Sequence, residues 1–399
     1  MARRPGLREI KADPAAMVQP SASWQRNRAL CGPLISRRRL FVGATAIGLV
    51  GGAAALVCGQ QEDDGVNTYD AAADALRAPL PADAAPRDLV RYATLAANSH
   101  NTQPWKFRIG DGAIDILPDV TRRTPVVDPD DHHLFCTLGC ATENLVVAAA
   151  ARGLSGEAAF MAAGDGGVRI GLSPAPARET PAFRAIPERG VSRAVYDGGP
   201  LPAEMVARLA AAAQSEAVDV IMITEPARIE AVLGLVVEGN DAQFADPAFI
   251  AELKRWIRFD RAEALRTGDG LFSGATGNPS VPPWLGRLVF GFVASPRAEA
   301  EKCAVQVRSS AGILVLVGRR ADPAHWVECG RSYQRFALEA TVLGLRHAFI
   351  NQAVEVPAVR EKLAAELGIA GRRPDLVLRF GQGPAMPRSL RRPVDAVLV

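Results

Sequence analysis

Apolar positions recur along the chain with two different periods. "RDLVRYATLAAN", from residue 87, has helical spacing. "WKFRI" and "AIDIL" alternate instead, on either side of Gly110-Asp111-Gly112, and predict a β-hairpin. "DPDDHHLFCTLGCATENLVVAAAARGL" predicts a long helix, with Asp128 as N-cap, Pro129 at the first helical position and Gly153 as terminator. "VRIGL" reads as a strand. Further on, the periodicity predicts strands at 218–223, 311–318 and 374–380. Helices are expected at 202–213, 226–238, 246–266, 323–343 and 356–366. Between them, "GDGLFSGATGNPSVPPW" (268–284) is a Gly/Pro/Ser-rich loop. Loops of that length in a compact domain are usually functional.

The pattern also repeats. "GCATENLVVAAAARGL" begins at Gly139 and "GRSYQRFALEATVLGL" at Gly330. Each places Gly at both ends of a 14-residue interval (139 to 153, 330 to 344), a Glu or Gln four residues in, and a closing Gly-Leu. Two related halves fused in one chain are expected. We set them at 86–180 and 181–399, behind a leader (1–58) and a linker (59–85). Such a chain imitates a two-fold dimer, with its cleft between the halves.

Composition changes this picture mainly at the N-terminus. The 399 residues are 48% hydrophobic, enough for a substantial core. The net charge of +3 divides unevenly. Residues 1–60 carry nine basic groups against Glu9 and Asp13, a balance of +7, which leaves −4 for the remainder. That body is not a nucleic-acid binder by charge. The basic end holds "SRRRLFV" followed by the apolar run 41–57, and it resembles a twin-arginine (Tat) signal. Export by the Tat translocase to a periplasmic or other extracytoplasmic location is expected. The alternative is an uncleaved anchoring helix over 41–57. Six cysteines occur without a C-x-x-C, so Cys136, Cys140, Cys303 and Cys329 are read as small buried hydrophobes.

Two stretches carry candidate chemistry. "NSHNTQ" (98–103) sets six polar side chains in a row between apolar flanks, just before Pro104-Trp105. It either caps a helix or holds something polar. "ERGVSRAVY" places Arg189 and Arg193 four apart, close enough for both to reach one anion. "AANSHNTQPWKF" resembles the flavin-contacting loop of the nitroreductase-like FMN-binding superfamily. "ERGVSRAVY" resembles that family's arginine motif, and "PRSLRRPVDAVLV" its basic tail. The division of loop and arginines between two halves is similar to the tandem, single-chain Acg-type branch.

The resemblance implies an α+β nitroreductase-like fold, with mixed or antiparallel sheets packed against helices in a pseudo-dimer. It implies one FMN per chain, with Arg189 and Arg193 on the phosphate and Arg391 or Arg392 completing the cluster. Asn98, Ser99, Asn101 and Gln103 would face the ring or the ribityl chain. Val191, Asn98 and Ala97 depart from the family's pattern at three positions, and the second half lacks its own copy of the loop. Trp105 is expected in the core, and His100 as a surface or capping residue rather than a catalyst. No side-chain acid or base is required, because the flavin carries the reaction.

The implied function is an FMN-dependent oxidoreductase that takes hydride from NAD(P)H and reduces a nitro, quinone or similar small-molecule acceptor, as a monomer. The alternative is a flavin-storage protein with a lid, for which 268–284 is the candidate, and little turnover. "DPDDHH" (128–133) offers metal-capable side chains, but consecutive positions at a helix start diverge, so no metal site is expected. Neither a P-loop nor a strand-linked G-x-G-x-x-G is present.

Overall fold

Two four-stranded antiparallel sheets organise residues 68–293 and 295–399, the portion described in this computed structural model. The twin-arginine motif, the 41–57 run, Cys31 and Cys58 lie outside the described residues. The chain divides into Met1–Gln60 and Gln61–Val399, and the described residues all belong to the second unit.

Helix α1 (68–76) falls inside the stretch expected to be a linker with one short helix. It is held down by side chains the composition obscures. Tyr69 is buried against Phe272 and donates to the Arg388 carbonyl, and Arg77 donates to the carbonyl of Ser389. Helix α2 (Pro86–Thr94) opens with Pro at its first turn. Strands β1 (Trp105–Gly110) and β2 (Ala113–Pro118) form the expected hairpin, closed by Gly110 opposite Ala113, with Gly112 at positive φ.

Helix α3 (His132–Ala151) begins three residues later than expected, since Pro129 lies in the preceding turn. The Asp128 side chain still caps it, accepting from the backbone N–H groups of His133 and Leu134. Strands β3 (Leu154–Met161) and β4 (Gly167–Pro174) complete the first sheet in the order β1-β2-β4-β3.

The second half opens with α4 (Pro181–Ala185), α5 (Ala203–Ala213), β5 (Val218–Ile223) and α6 (Pro226–Ala245). The helix expected over 246–266 is two helices, α7 (Pro247–Trp256) and α8 (Arg261–Thr267). Between them β6 (Ile257–Arg258) pairs in parallel with β7 (Leu271–Phe272). Arg258 reaches forward to the Asp269 carboxylate, and this pairing outweighs the helical pattern. Helices α9 (Pro283–Val293) and α10 (Pro296–Arg308) follow. After them come β8 (Gly312–Gly318), α11 (Pro323–Val342), β9 (Arg346–Phe349), α12 (Gln352–Glu355), α13 (Pro357–Glu366) and β10 (Leu376–Gly381). The second sheet runs β5-β8-β10-β9. The architecture is α+β, as the resemblance implies.

The two repeat glycines lie at a crossing of helices. Helices α3 and α11 pack on each other at the two repeat glycines. A Cβ on Gly139 would run into the Val327 carbonyl, and one on Gly330 into the Cys136 carbonyl. Neither glycine has positive φ, so close backbone approach is the reason for both. The repeat's polar positions bond across the same interface. Gln334 donates to Asn144 Oδ1 at 2.7 Å, and Glu143 pairs with Arg331 and Arg335 at 3.1 and 3.2 Å. Burial on almost every side explains why α3 is so uniformly apolar. The C-terminal residues return to the first sheet, where Phe107 N–H donates to the Val397 carbonyl and Val399 N–H to that of Phe107.

Candidate active site

The residues after α2 form a tight, strained loop. Asn98 Oδ1 accepts from the Gln103 N–H at 2.9 Å, closing a ring over the turn Ser99–Asn101. His100, Asn101 and Gln103 all have φ near +50°. Three non-glycine residues in left-handed conformation within four positions are held only because the surroundings fix them.

Those surroundings come from the second half. Asn101 Nδ2 donates to the carbonyls of Gly270 and Leu390, and its Oδ1 accepts from Arg391. Gln103 Nε2 donates to the Gly268 carbonyl, and its Oε1 accepts from the Arg392 N–H. Arg391 donates to the carbonyls of Thr94, Leu95 and Ala96, and Arg189 Nη2 to that of Leu95. Two guanidiniums therefore sit on the open carbonyls at the C-terminal end of α2, where cations are favoured.

This placement separates the expected site residues. Asn98, Ser99 and Arg193 line one cavity of about 470 Å³. Asn101, Gln103, Arg189, Arg391 and Arg392 do not line it. Arg391 does not complete a phosphate cluster as expected, because its donors are occupied by backbone carbonyls and Asn101; it positions the loop instead. Arg392 turns the other way, donating to the Ala396 carbonyl and lying 3.8 Å from Asp119. Arg189 is buried, with one nitrogen on Leu95 and its Nε without a partner among the described residues.

Arg193 is different. Its guanidinium makes no hydrogen bond or ion pair among the described residues. Only its backbone is engaged, with Met386 Sδ and Gln306. Burial lowers its pKa, while the Glu299 carboxylate on the same wall opposes that shift.

The rest of the cavity could not be assembled from the sequence. Phe244, Phe249, Phe259, Phe290 and Phe349 supply apolar faces from five separate segments. The stretch 268–284 contributes Ser273, Thr276, Asn278, Pro279 and Val281. Lys302 ties it to α10 by donating to Asn278 Oδ1 at 2.9 Å. His100 is a wall residue rather than a surface cap. Burial, with Arg193 nearby, pushes it down to about 4, so it is a neutral imidazole at pH 7.

His133, Gln243 and Glu355 also face the cavity. Glu355 accepts from Gln243 Nε2 at 2.6 Å, and burial pushes it up to about 7. Cys136 and Cys140 share one face of α3 along the wall, and both are free thiols raised by burial. The only sequence signal for His133 is the "DPDDHH" run, and for Glu355 there is none.

A cavity of this size suits a cofactor or drug-sized ligand. An unpartnered guanidinium fits a phosphate, and the phenylalanine faces fit a planar ring, so the residues present fit FMN.

No protein-family model matches the chain. Its sequence is similar to nitroreductase-like proteins over most of its length. A putative NAD(P)H nitroreductase of Mycobacterium tuberculosis is 27% identical over 331 residues, 78% of this chain and 90% of the relative. A second putative NAD(P)H nitroreductase of that organism, acg, is 24% identical over 322 residues, covering 78% and 94%. Among solved structures, the FMN-dependent nitroreductase NfnB of Mycobacterium smegmatis, in complex with NADPH, is 15% identical. It covers 54% of this chain and 91% of its own, with a TM-score of 0.33. A nitroreductase with bound FMN from Bacteroides fragilis is 16% identical, covering 51% and 88%, with a TM-score of 0.30.

Proposed function

We propose that this protein binds one FMN in the 470 Å³ cavity and acts as a nitroreductase-type oxidoreductase. One observation carries the reading. A polar loop from the first half and a partnerless arginine from the second meet at a cavity otherwise walled by phenylalanine. Bound FMN supplies hydride chemistry between NAD(P)H and a nitro, quinone or similar acceptor. The chain's own part is to bind and shield. Arg193 would neutralise the phosphate, Asn98 and Ser99 would offer polar contacts, and the phenylalanines would exclude water from the ring. The likeness to proteins named as NAD(P)H nitroreductases supports this assignment.

In this reading the chain works as a monomer whose halves stand in for two subunits. The reciprocal packing at Gly139 and Gly330 supports that view. The leader would direct export through the Tat translocase, or stay as an anchor.

A second reading, flavin storage with little turnover, is supported by the segment 273–281, which contributes Ser273, Thr276, Asn278, Pro279 and Val281 to the cavity wall. Anaerobic mixing of the FMN-loaded chain with NADPH separates the two. Loss of the oxidised flavin band is expected for the oxidoreductase. An unchanged spectrum with FMN still bound overturns turnover and leaves storage.

A further inference from the structure

The turn before α3 and the helix's first two residues gather three metal-capable side chains. Asp128, His132 and His133 are all buried, and one potential ligand atom from each lies within 4.8 Å of the other two. From their spacing alone these side chains are expected to diverge. They converge because Asp128 folds back to cap the backbone N–H groups of His133 and Leu134, which brings its carboxylate near both imidazoles. A second cavity of about 170 Å³, lined in part by Asp128, His132, His133 and Glu355, opens beside them.

Two further features point to a ligand there. First, His133 is only 6% exposed, yet its Nε2 has no partner among the described residues, and Nδ1 meets Glu355 only at 3.7 Å. Such a nitrogen is costly to bury empty. Second, His132 Nε2 lies 2.9 Å from Asp375 Oδ1. The other oxygen, Asp375 Oδ2, is fixed by the Gly318 N–H. A carboxylate holding one imidazole nitrogen fixes the ring and leaves the other nitrogen for a ligand, the usual support behind a metal-binding histidine. Two guanidiniums share the wall of this second cavity: Arg373 is paired with Asp130 and lies 3.9 Å from Asp375, and Arg360 donates to the Val354 carbonyl.

We propose that Asp128, His132 and His133 bind one divalent cation of the zinc type, with Asp375 as the outer carboxylate and Glu355 lining the cavity beside it. Two imidazoles and a carboxylate form a borderline nitrogen–oxygen set that suits Zn²⁺. Bonds of about 2.0–2.2 Å would draw the three atoms closer together. The metal site does not depend on flavin. It lies in the wall of the larger cavity, since His133 and Glu355 face both.

The test uses the full chain, stripped with chelator. Calorimetric titration with Zn²⁺ should show one saturable site per chain and a raised melting temperature. Co²⁺ in its place should give visible bands of a nitrogen–oxygen site without a sulfur-to-cobalt charge-transfer band. Asp375→Asn should weaken Zn²⁺ roughly 10–100-fold, and His133→Gln more. His325→Gln, on α11, should leave binding unchanged. A wild-type chain with no saturable site overturns the proposal, whatever the variants do. So does a thiolate charge-transfer band, which would put the ion on the cysteines. Folded His133→Gln and Asp375→Asn proteins that bind as wild type would also overturn it.

Discussion

Replacing Arg193 by Gln should remove FMN affinity without removing stability. The guanidinium has no protein partner among the described residues, so the substitution breaks no internal ion pair. Burial already lowers its pKa, meaning the folded chain holds this charge at a disadvantage until an anion arrives. A charge-assisted hydrogen bond contributes about 1.5–3 kcal/mol. Losing one predicts roughly 10–150-fold weaker FMN binding. The unliganded variant should unfold within about 0.5 kcal/mol of wild type. Quenching of FMN fluorescence reads the first quantity and urea unfolding the second. Arg189→Gln should behave in the opposite sense, losing stability because it strips the Leu95 carbonyl of a buried donor. An Arg193→Gln chain that binds FMN within about twofold of wild type, a difference under roughly 0.5 kcal/mol, would refute the assignment of this arginine to the phosphate.

Gly139→Ala should destabilise by about 3 kcal/mol, because the new methyl meets the Val327 carbonyl on α11 and the two helices must separate. A lowered urea midpoint with unchanged m checks it. His347 is 1% exposed, neither ring nitrogen has a partner among the described residues, and burial, with Arg189 and Arg346, pushes it down to about 3. Its folded pKa therefore lies below the unfolded value of 6.5. The unfolded chain gains the proton first, and stability is lost as pH falls from about 6.5 toward about 3. Between about pH 6.5 and about pH 5 wild type should lose roughly 2 kcal/mol from this residue alone. His347→Leu should lack that loss, as measured by urea unfolding at the two pH values.

Much of the scaffold was legible because its periods are strong. The hairpin around Asp111-Gly112, the long helix after Asp128, and the strands near 218, 312 and 376 follow from alternation, helical spacing and turn residues. The Gly139/Gly330 repeat was visible as a pattern, but that its two glycines meet at one helix crossing was not, since close backbone approach is a tertiary contact. The break at residues 257–258 was not legible. It depends on Arg258 reaching Asp269, a contact between distant positions that periodicity does not encode.

The site divided along similar lines. The 98–103 run marked a polar loop, but not which of its side chains line the cavity. Asn101 and Gln103 are turned away by carbonyls at Gly268, Gly270 and Leu390. Arg391 looks like an anion ligand because charge is visible in sequence while carbonyl partners are not. The phenylalanine wall comes from segments scattered between residues 244 and 349, each apolar for reasons that any core would satisfy.

The most direct measurement is the flavin content and FMN affinity of the purified chain. The account predicts a yellow protein, or a colourless one that takes up a single equivalent of FMN and quenches its fluorescence. Correctly folded material that neither carries nor acquires the nucleotide would contradict it.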